Sequence, residues 1–178
     1  MKEFRILFLV GKDRPGIVDE VSRILFEHTA NIEDSRMATL GGCFSIMTLF
    51  SVDAEKLEGT QTGLESLQEQ GFNVWFHKAQ DPTAALPRDA ALPLNFEVRA
   101  MDHPGIVRRV VHVLGENNVN IESLNTHVIQ APLSGAPLFD LEISAAVPKE
   151  VSIAGIKESL AELAAEENLD LLFLKAGG

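Results

Sequence analysis

The chain has 178 residues, of which 46 % are hydrophobic and 23 % charged, a balance typical of a globular protein. Its 26 acidic and 15 basic residues give a net charge of −11, which would repel nucleic acid and anionic lipid, so we expect no direct contact with nucleic acid. One cysteine, Cys43, excludes an internal disulfide framework. No apolar run reaches the ~18 residues of a membrane-spanning helix, and we expect a cytoplasmic protein without membrane contact.

An internal repeat organises the chain. The segment from Asp13 to Glu33 returns 89 residues later as the segment from Asp102 to Glu122, with 11 of 21 positions identical. Unrelated segments of ordinary composition would share about one or two residues over that length. A unit this long, present twice, indicates a duplicated domain and not a solenoid, whose shorter units need at least three copies.

Each copy opens with alternating apolar residues that predict a first strand. These residues are Phe4, Ile6, Phe8 and Val10 in the first copy and Phe96, Val98 and Ala100 in the second. A Pro-Gly pair then precedes apolar residues at helical spacing in both copies. Because proline lacks the N–H that would be unpaired at a helix start, we expect the first helices to begin at Pro15 and Pro104.

The same order of elements follows in both copies. Gly41-Gly42 predicts the turn of a hairpin in the first copy, and the equivalent connection in the second, from Ala131 to Pro137, is longer and rich in proline. A second helix is predicted strongly around Ile153 to Ala164 and more weakly around Leu57 to Leu67, and a strand closes each copy. The order β-α-β-β-α-β predicts an α+β protein of two ferredoxin-like domains, each an antiparallel sheet with both helices on one face.

The two predicted domains are joined by a linker. Residues 80–93 carry three prolines among small residues and show no sustained period, which leaves domains at residues 1–79 and 94–178. A domain of this size buries only ~60 to 65 % of its unfolded surface and would be marginal alone. We therefore expect the copies to pack together as an intramolecular pair, and the same argument allows a homodimer.

Both copies repeat polar residues at the two ends of the first helix. Asp13 and Asp102 precede this helix, while Asn31 and Asn120 follow it. A helix N-terminus presents unpaired N–H groups and a partial positive charge, which favour a carboxylate. An acidic side chain receives an ammonium group and an amide both donates and accepts, so the set suits the charged head of an amino acid.

A purely structural role also fits these residues. In that interpretation Asp13 and Asp102 cap the helix, the glycines allow tight packing and the asparagines form the following turn. Periodicity does not choose between the two interpretations.

The motif Asp-x-Pro-Gly-Ile-Val after a strand, followed about 15 residues on by Asn-Ile-Glu, resembles the ACT domain, an amino-acid-sensing regulatory module. Two such copies with little else are similar to the glycine cleavage system transcriptional repressor family. The resemblance implies a non-catalytic protein that binds glycine or serine and controls a protein partner, a transcriptional regulator of glycine cleavage. A stand-alone regulatory subunit of an amino-acid biosynthetic enzyme is the alternative.

The resemblance also implies which residues contact the ligand, where two modules meet. They are Asp13, Arg14, Pro15, Gly16, Ile17, Asn31 and Ile32 in the first copy, and Asp102, His103, Pro104, Gly105, Ile106, Asn120 and Ile121 in the second. Some ligand-binding relatives have asparagine in place of the two aspartates, and a contacting side chain where this chain has Gly11 and Ala100. Because Arg14 and His103 differ and the second hairpin is longer, we expect at most one strong site.

No motif predicts catalysis or a cofactor. Lys12 lacks a preceding phosphate loop, Cys43 lacks the glycine that would complete a nucleophile elbow, and the five histidines show no paired metal-ligand spacing. We therefore expect no enzyme activity, no cofactor and no metal site.

Overall fold

A computed structural model describes residues 1–82, 91–130 and 135–174. The chain divides into two compact units, Met1–Leu86 and Pro87–Gly178. Most of the predicted linker, and residues 131–134 of the predicted proline-rich connection, lie outside the described residues. No helix in the part of the chain that the structure describes is long and apolar enough to cross a membrane.

The first unit is a four-stranded antiparallel sheet with two α-helices. Its elements are β1 (Lys2–Lys12), α1 (Ile17–Glu27), β2 (Asn31–Leu40), β3 (Cys43–Asp53), α2 (Leu57–Glu65) and β4 (Asn73–Ala79), with short 3-10 turns at Ala54–Lys56 and Ser66–Gln70. The strands are ordered β2-β3-β1-β4. This is the predicted β-α-β-β-α-β arrangement.

The second unit repeats this arrangement. Its elements are β5 (Leu92–Met101), α3 (Ile106–Glu116), β6 (Asn120–Gln130), β7 (Pro137–Val147), α4 (Ile153–Glu167) and β8 (Asp170–Leu174). The strand order is β6-β7-β5-β8, which matches the first unit strand for strand. The predicted fold class, α+β with two ferredoxin-like domains, is confirmed.

The strands β1 and β5 differ in whether the residues of the predicted alternating set are the buried ones. In β5, Phe96 and Val98 are buried against the helices, whereas in β1 the buried residues are Leu7 and Leu9, which occupy the equivalent positions 89 residues earlier. The alternating set that includes Phe8 therefore lies on the opposite face of the first sheet. Because β1 is apolar on both faces, its alternation did not reveal which side would be buried.

The first helices begin two residues later than predicted. Gly16 and Gly105 are the residues that immediately precede α1 and α3, with φ of 89° and 103°. These positive values are accessible to glycine without the strain that a Cβ would cause. The prediction that the helices begin at Pro15 and Pro104 was wrong, because a glycine in the left-handed region must first turn the chain into the helix.

Candidate functional site

The loops that precede α1 and α3 are fixed to the tips of their neighbouring hairpins. The N–H of Asp13 donates to the carbonyl of Gly42 at 3.0 Å, and the N–H of Asp102 donates to the carbonyl of Pro137 at 3.2 Å. Each loop therefore holds the same position at the end of the central strand, directly in front of the helix N-terminus.

Both helices leave backbone N–H groups unpaired at their first turn. The first hydrogen bonds run from the N–H of Glu20 to the carbonyl of Gly16 and from the N–H of Arg109 to the carbonyl of Gly105, each at 3.0 Å. Among the described residues, no acceptor binds the N–H groups of the three residues that lie between each pair. These groups are those that an anion would bind.

The two aspartates do not cap the helices. Neither helix has a side-chain hydrogen bond at its N-cap, which is a glycine in both cases. The Asp13 carboxylate instead accepts a hydrogen bond from the Thr39 hydroxyl at 3.2 Å. The capping interpretation of Asp13 and Asp102 is therefore wrong, and the glycines serve a left-handed backbone and not the expected tight packing.

In the first domain the loop lines an open cleft of about 280 Å³. Its lining residues are Asp13, Arg14, Gly16, Ile17, Val18, Asp19 and Phe44. The Arg14 guanidinium is already occupied, because it donates to the Glu20 carboxylate at 2.6 Å and to the Gln70 side-chain oxygen at 2.5 Å. It also lies 5.4 Å from the ring centre of Phe72.

This network also acts on Glu20. The Gln70 amide donates to the second carboxylate oxygen of Glu20 at 2.6 Å. The hydrogen bond from Arg14, followed by that from Gln70, lowers the pKa of Glu20 below its usual value. Hydrogen bonds among Arg14, Glu20 and Gln70 therefore hold the first loop in place.

In the second domain the equivalent cleft is larger, about 740 Å³. Its lining residues are Asp102, His103, Pro104, Gly105, Ile106, Val107, Arg108, Val111 and Phe139. The ring nitrogen Nδ1 of His103 lies 3.2 Å from the adjacent carbonyl of Pro104, and Arg109 forms an ion pair with Glu167 on α4. Arg108 has no ion-pair partner in residues 91–130 or the other described ranges, and it lies at the mouth of the helix.

The charges at the two helix starts are opposite. The first turn of α1 carries Asp19 and Glu20. The equivalent positions of α3 carry Arg108 and Arg109. An approaching carboxylate would therefore meet an acid at the first cleft and a guanidinium at the second.

The predicted asparagines lie far from these loops. Asn31 pairs with Ser51, which pairs with Phe4 near the start of β1, whereas the loop follows Lys12 at the other end of that strand. At ~3.3 Å per residue, this separation is about 26 Å. Asn120 stands in the same register of the second sheet, opposite Ala146. Neither domain brings its asparagine, or the isoleucine that follows it, to its own loop.

Asn31 and Glu33 belong to a β-bulge. The pairing of β2 with β3 shifts between Ile32 and Asp34, and the second domain shows the same shift between Ile121 and Ser123. The Glu33 carboxylate accepts from the Ser51 hydroxyl at 2.5 Å and from the Asn31 amide at 3.1 Å. These two bonds lower the pKa of Glu33, that from Ser51 most. The repeated Asn-Ile-Glu sequence thus accompanies a bend in the edge strand.

Sequence reasoning missed four residues of the second cleft, which are Val107, Arg108, Val111 and Phe139. Val107 and Val111 are four residues apart, so they share one face of α3, and this spacing was visible in the sequence. Phe139 reaches the cleft through strand pairing with Ala100, which the sequence does not disclose.

The described residues contain no group of three or more histidine, cysteine, aspartate or glutamate side chains arranged to hold a metal ion. Cys43 is exposed at the first position of β3.

Comparison with known proteins supports the repeat and the fold. The sequence profile of the ACT domain matches residues 4–77 and, in a second form, residues 95–165. A glycine cleavage system transcriptional repressor from Escherichia coli (strain K12) is 28 % identical over 170 residues, which cover 94 % of this chain and 87 % of that protein. The resemblance drawn from the repeated motif is confirmed.

Two further proteins share parts or all of this architecture. A UPF0237 protein from Methanopyrus kandleri is 39 % identical over 67 residues, which cover 37 % of this chain and 72 % of that protein. A crystal structure of a protein of unknown function from Galdieria sulphuraria is 29 % identical with a TM-score of 0.84, and the match covers 99 % of this chain and 100 % of that chain. The tandem arrangement therefore occurs in other proteins.

Proposed function

Because this chain belongs to the ACT-domain family and carries the domain twice, we propose that it is a regulatory protein that binds a small amino acid, glycine or serine, in its second cleft. The observation that carries the proposal is the row of N–H groups at the start of α3, beside the guanidinium of Arg108, all without a partner among the described residues. The N–H groups and the guanidinium both attract a carboxylate, and both border the second cleft.

The remaining groups of the second cleft suit the rest of the ligand. The Asp102 carboxylate borders the cleft and would receive the ammonium group, while Val107, Val111 and Phe139 supply an apolar wall. Glycine has five heavy atoms, and a ceiling near −1.5 kcal/mol per atom limits its binding to about −7.5 kcal/mol, or micromolar affinity at best. That range suits a metabolite sensor.

The bound amino acid would act on a protein partner. Similarity to a transcriptional repressor over 94 % of this chain supports a transcriptional regulator of glycine cleavage as that partner. The net charge of −11 disfavours contact with DNA and therefore suits an indirect role in transcription. The ligand changes partner binding only as far as it prefers one conformation of the protein over another.

Calorimetric titration of the full chain with glycine, serine, alanine, valine and leucine tests the ligand assignment. We expect glycine or serine to bind with micromolar affinity. Asp102→Ala should weaken binding about tenfold, since a charged hydrogen bond contributes about 1.5 kcal/mol. Asp13→Ala is the matched control in the first cleft and should leave binding unchanged. Absence of heat with every amino acid would overturn the ligand proposal.

Affinity capture with and without the bound amino acid tests the partner. Capture of a transcriptional regulator that depends on the amino acid supports the proposal. Capture of a biosynthetic enzyme instead would favour the alternative, a regulatory subunit that shares the ligand chemistry and differs in its target.

A further inference from the structure

The first sheet has an apolar face that its own helices do not cover. Leu7 and Leu9 of β1 point to α1 and α2, so the alternate residues of β1 lie on the other side. We call this side the open face, and its central residues are Ile6, Phe8, Val10, Met47, Leu49 and Trp75. Trp75 is 49 % exposed and Met47 is 45 % exposed.

Strand pairing and ring stacking fix the arrangement of the residues at the centre of the open face. Phe8 lies between Met47 on β3 and Trp75 on β4 in the strand register. The rings of Phe8 and Trp75 stack with centres 5.3 Å apart and planes 3° apart. Beside them, a depression of about 200 Å³ is bordered by Ile6, Met47 and Leu49 and by Asp34 and Arg36 of β2. The stacked pair therefore borders a hollow, and aromatic side chains of this kind are enriched where protein surfaces meet.

The second domain shows that the fold does not require this apolar face. In the same register, Glu97 stands where Phe8 does, and it lies between Glu142 and Leu172. Arg99 stands where Val10 does, and it is paired with Asp140 at 2.8 Å. The equivalent face of the second sheet therefore carries charged residues on its central strand, although Leu172 beside them is exposed, so the fold does not require apolar residues at these positions.

We propose that a second copy of this chain covers the open face, with the two first-domain sheets packed face to face about a twofold axis. A twofold axis brings identical patches together, so the patch must suit itself. The open face meets this requirement. Its β2 border carries Asp34 and Arg36 as an ion pair of 2.6 Å, which adds no net charge in a chain of −11. Two such faces therefore meet without an excess of like charge at the contact, while salt screens the net charge of the rest of each chain beyond about 8 Å.

The size of the open face sets the strength of this dimer. Four strands ~4.8 Å apart and the ~20 Å from Phe4 to Val10 give about 400 Å² in projection per copy. Two copies would together bury about 800 Å², which is below the range of stable interfaces and within that of weak, transient ones. The dimer should therefore form reversibly with a micromolar dissociation constant.

The chain contains its own reporter of the open face. Trp75 is its single tryptophan, and it has no tyrosine, so intrinsic fluorescence reports this surface alone. Sedimentation velocity and acrylamide quenching of the full chain would be measured from about 1 µM to about 200 µM, a range that brackets weak interfaces. We expect the dimer fraction to rise and the quenching of Trp75 to fall together across this range.

A matched pair of variants locates the contact. Met47→Glu places on the open face the residue that the second domain has at the equivalent position, Glu142, so the fold should accept it. This variant should weaken dimerisation at least tenfold and keep Trp75 open to quenching at all concentrations. The control is Leu172→Glu, which changes a residue 56 % exposed on the face of the second sheet and should leave the dimer unchanged.

Three results would overturn the proposal. One is a monomer throughout the range with Trp75 always quenched. Another is a dimer that withstands Met47→Glu. The third is a monomer in which Trp75 resists quenching even at the lowest concentration, which would mean that another part of the same chain covers the face. The wild-type fluorescence series decides the matter even if Met47→Glu fails to fold.

Discussion

The two clefts share one backbone device and surround it with different side chains. In both, a glycine with positive φ turns the chain into a helix whose first N–H groups are unpaired. In the first cleft Arg14 donates to Glu20 and Gln70, whereas in the second the ring of His103 has, among the described residues, a polar contact with the carbonyl of Pro104 alone. Duplication therefore preserved the turn and allowed the charges around it to diverge.

These side chains give the two loops different roles: contacts of its own side chains hold the loop before α1, whereas the loop before α3 is the one to which we assign ligand binding under the proposed function. Arg14 ties the first loop to the segment that precedes β4, and Asp19 adds a negative charge at the helix start. The second cleft has neither restraint and presents Arg108 at the position equivalent to Asp19. Under the proposed function, the same N–H groups would hold a ligand carboxylate in the second domain and stay without one in the first.

The largest expected effect comes from reversing the charge of Arg108 at the start of α3. Arg108→Asp should weaken binding of glycine or serine by about tenfold to a hundredfold, since a hydrogen bond to a charged group contributes about 1.5 to 3 kcal/mol. Asp19→Asn, at the equivalent position of the first domain, should leave the dissociation constant unchanged. Calorimetry on both variants measures this difference, and equal effects would contradict it.

The shared turn should respond in the same way in both domains. Gly16→Ala and Gly105→Ala should each lower the free energy of unfolding by about 1 to 2 kcal/mol, because each places a Cβ in the left-handed region. A Cβ at Gly16 would meet no atom within 4 Å, so this cost is one of backbone strain and not of collision. Chemical denaturation of the two variants checks the prediction, and a neutral effect in either domain would contradict it.

Arg14→His makes the first loop resemble the second. The change removes the ion pair to Glu20 and the contact with the Phe72 ring, each worth up to about 1 kcal/mol at an exposed site. We expect a loss of stability below about 2 kcal/mol and faster exchange of the hydrogen-bonded amides of Asp13 and Glu20, which flank the loop. Exchange as slow as in the wild type would show that Arg14 does not hold this loop.

The smallest expected effect is a pH dependence confined to the first domain. The folded pKa of Glu20 lies below its ordinary value of 4.5, so its carboxylate stabilises the fold fully above that pH. This contribution, below about 1 kcal/mol, is lost as the pH falls through the folded pKa. Denaturation of the wild type and Glu20→Gln should differ at pH 7 and converge in acid. Curves that stay parallel would contradict the assignment.

The repeat made the fold predictable, whereas the sequence predicted only part of where individual side chains lie. Two aligned copies of one hydrophobic pattern defined the strand and helix order, because that order follows from periodicity. Alternation alone did not give the buried side of β1, because Phe4, Ile6, Phe8 and Val10 form the more apolar set. The repeat carried the missing signal, because its 89-residue offset aligns the buried Leu7 and Leu9 with Phe96 and Val98. The separation of Asp13 from Asn31 was already implied by their places at opposite ends of the first helix, because the 11 residues of α1 rise about 16 Å.

The central claim is that unpaired N–H groups at the start of α3 bind the carboxylate of an amino acid. It is tested most directly by following backbone amide resonances in nitrogen-15-labelled full-length protein while glycine or serine is added. We predict saturable shifts at Ile106, Val107 and Arg108, with no comparable shifts at Ile17, Val18 and Asp19. Resonances of α3 that stay in place at millimolar ligand, or that move only in α1, would contradict the account.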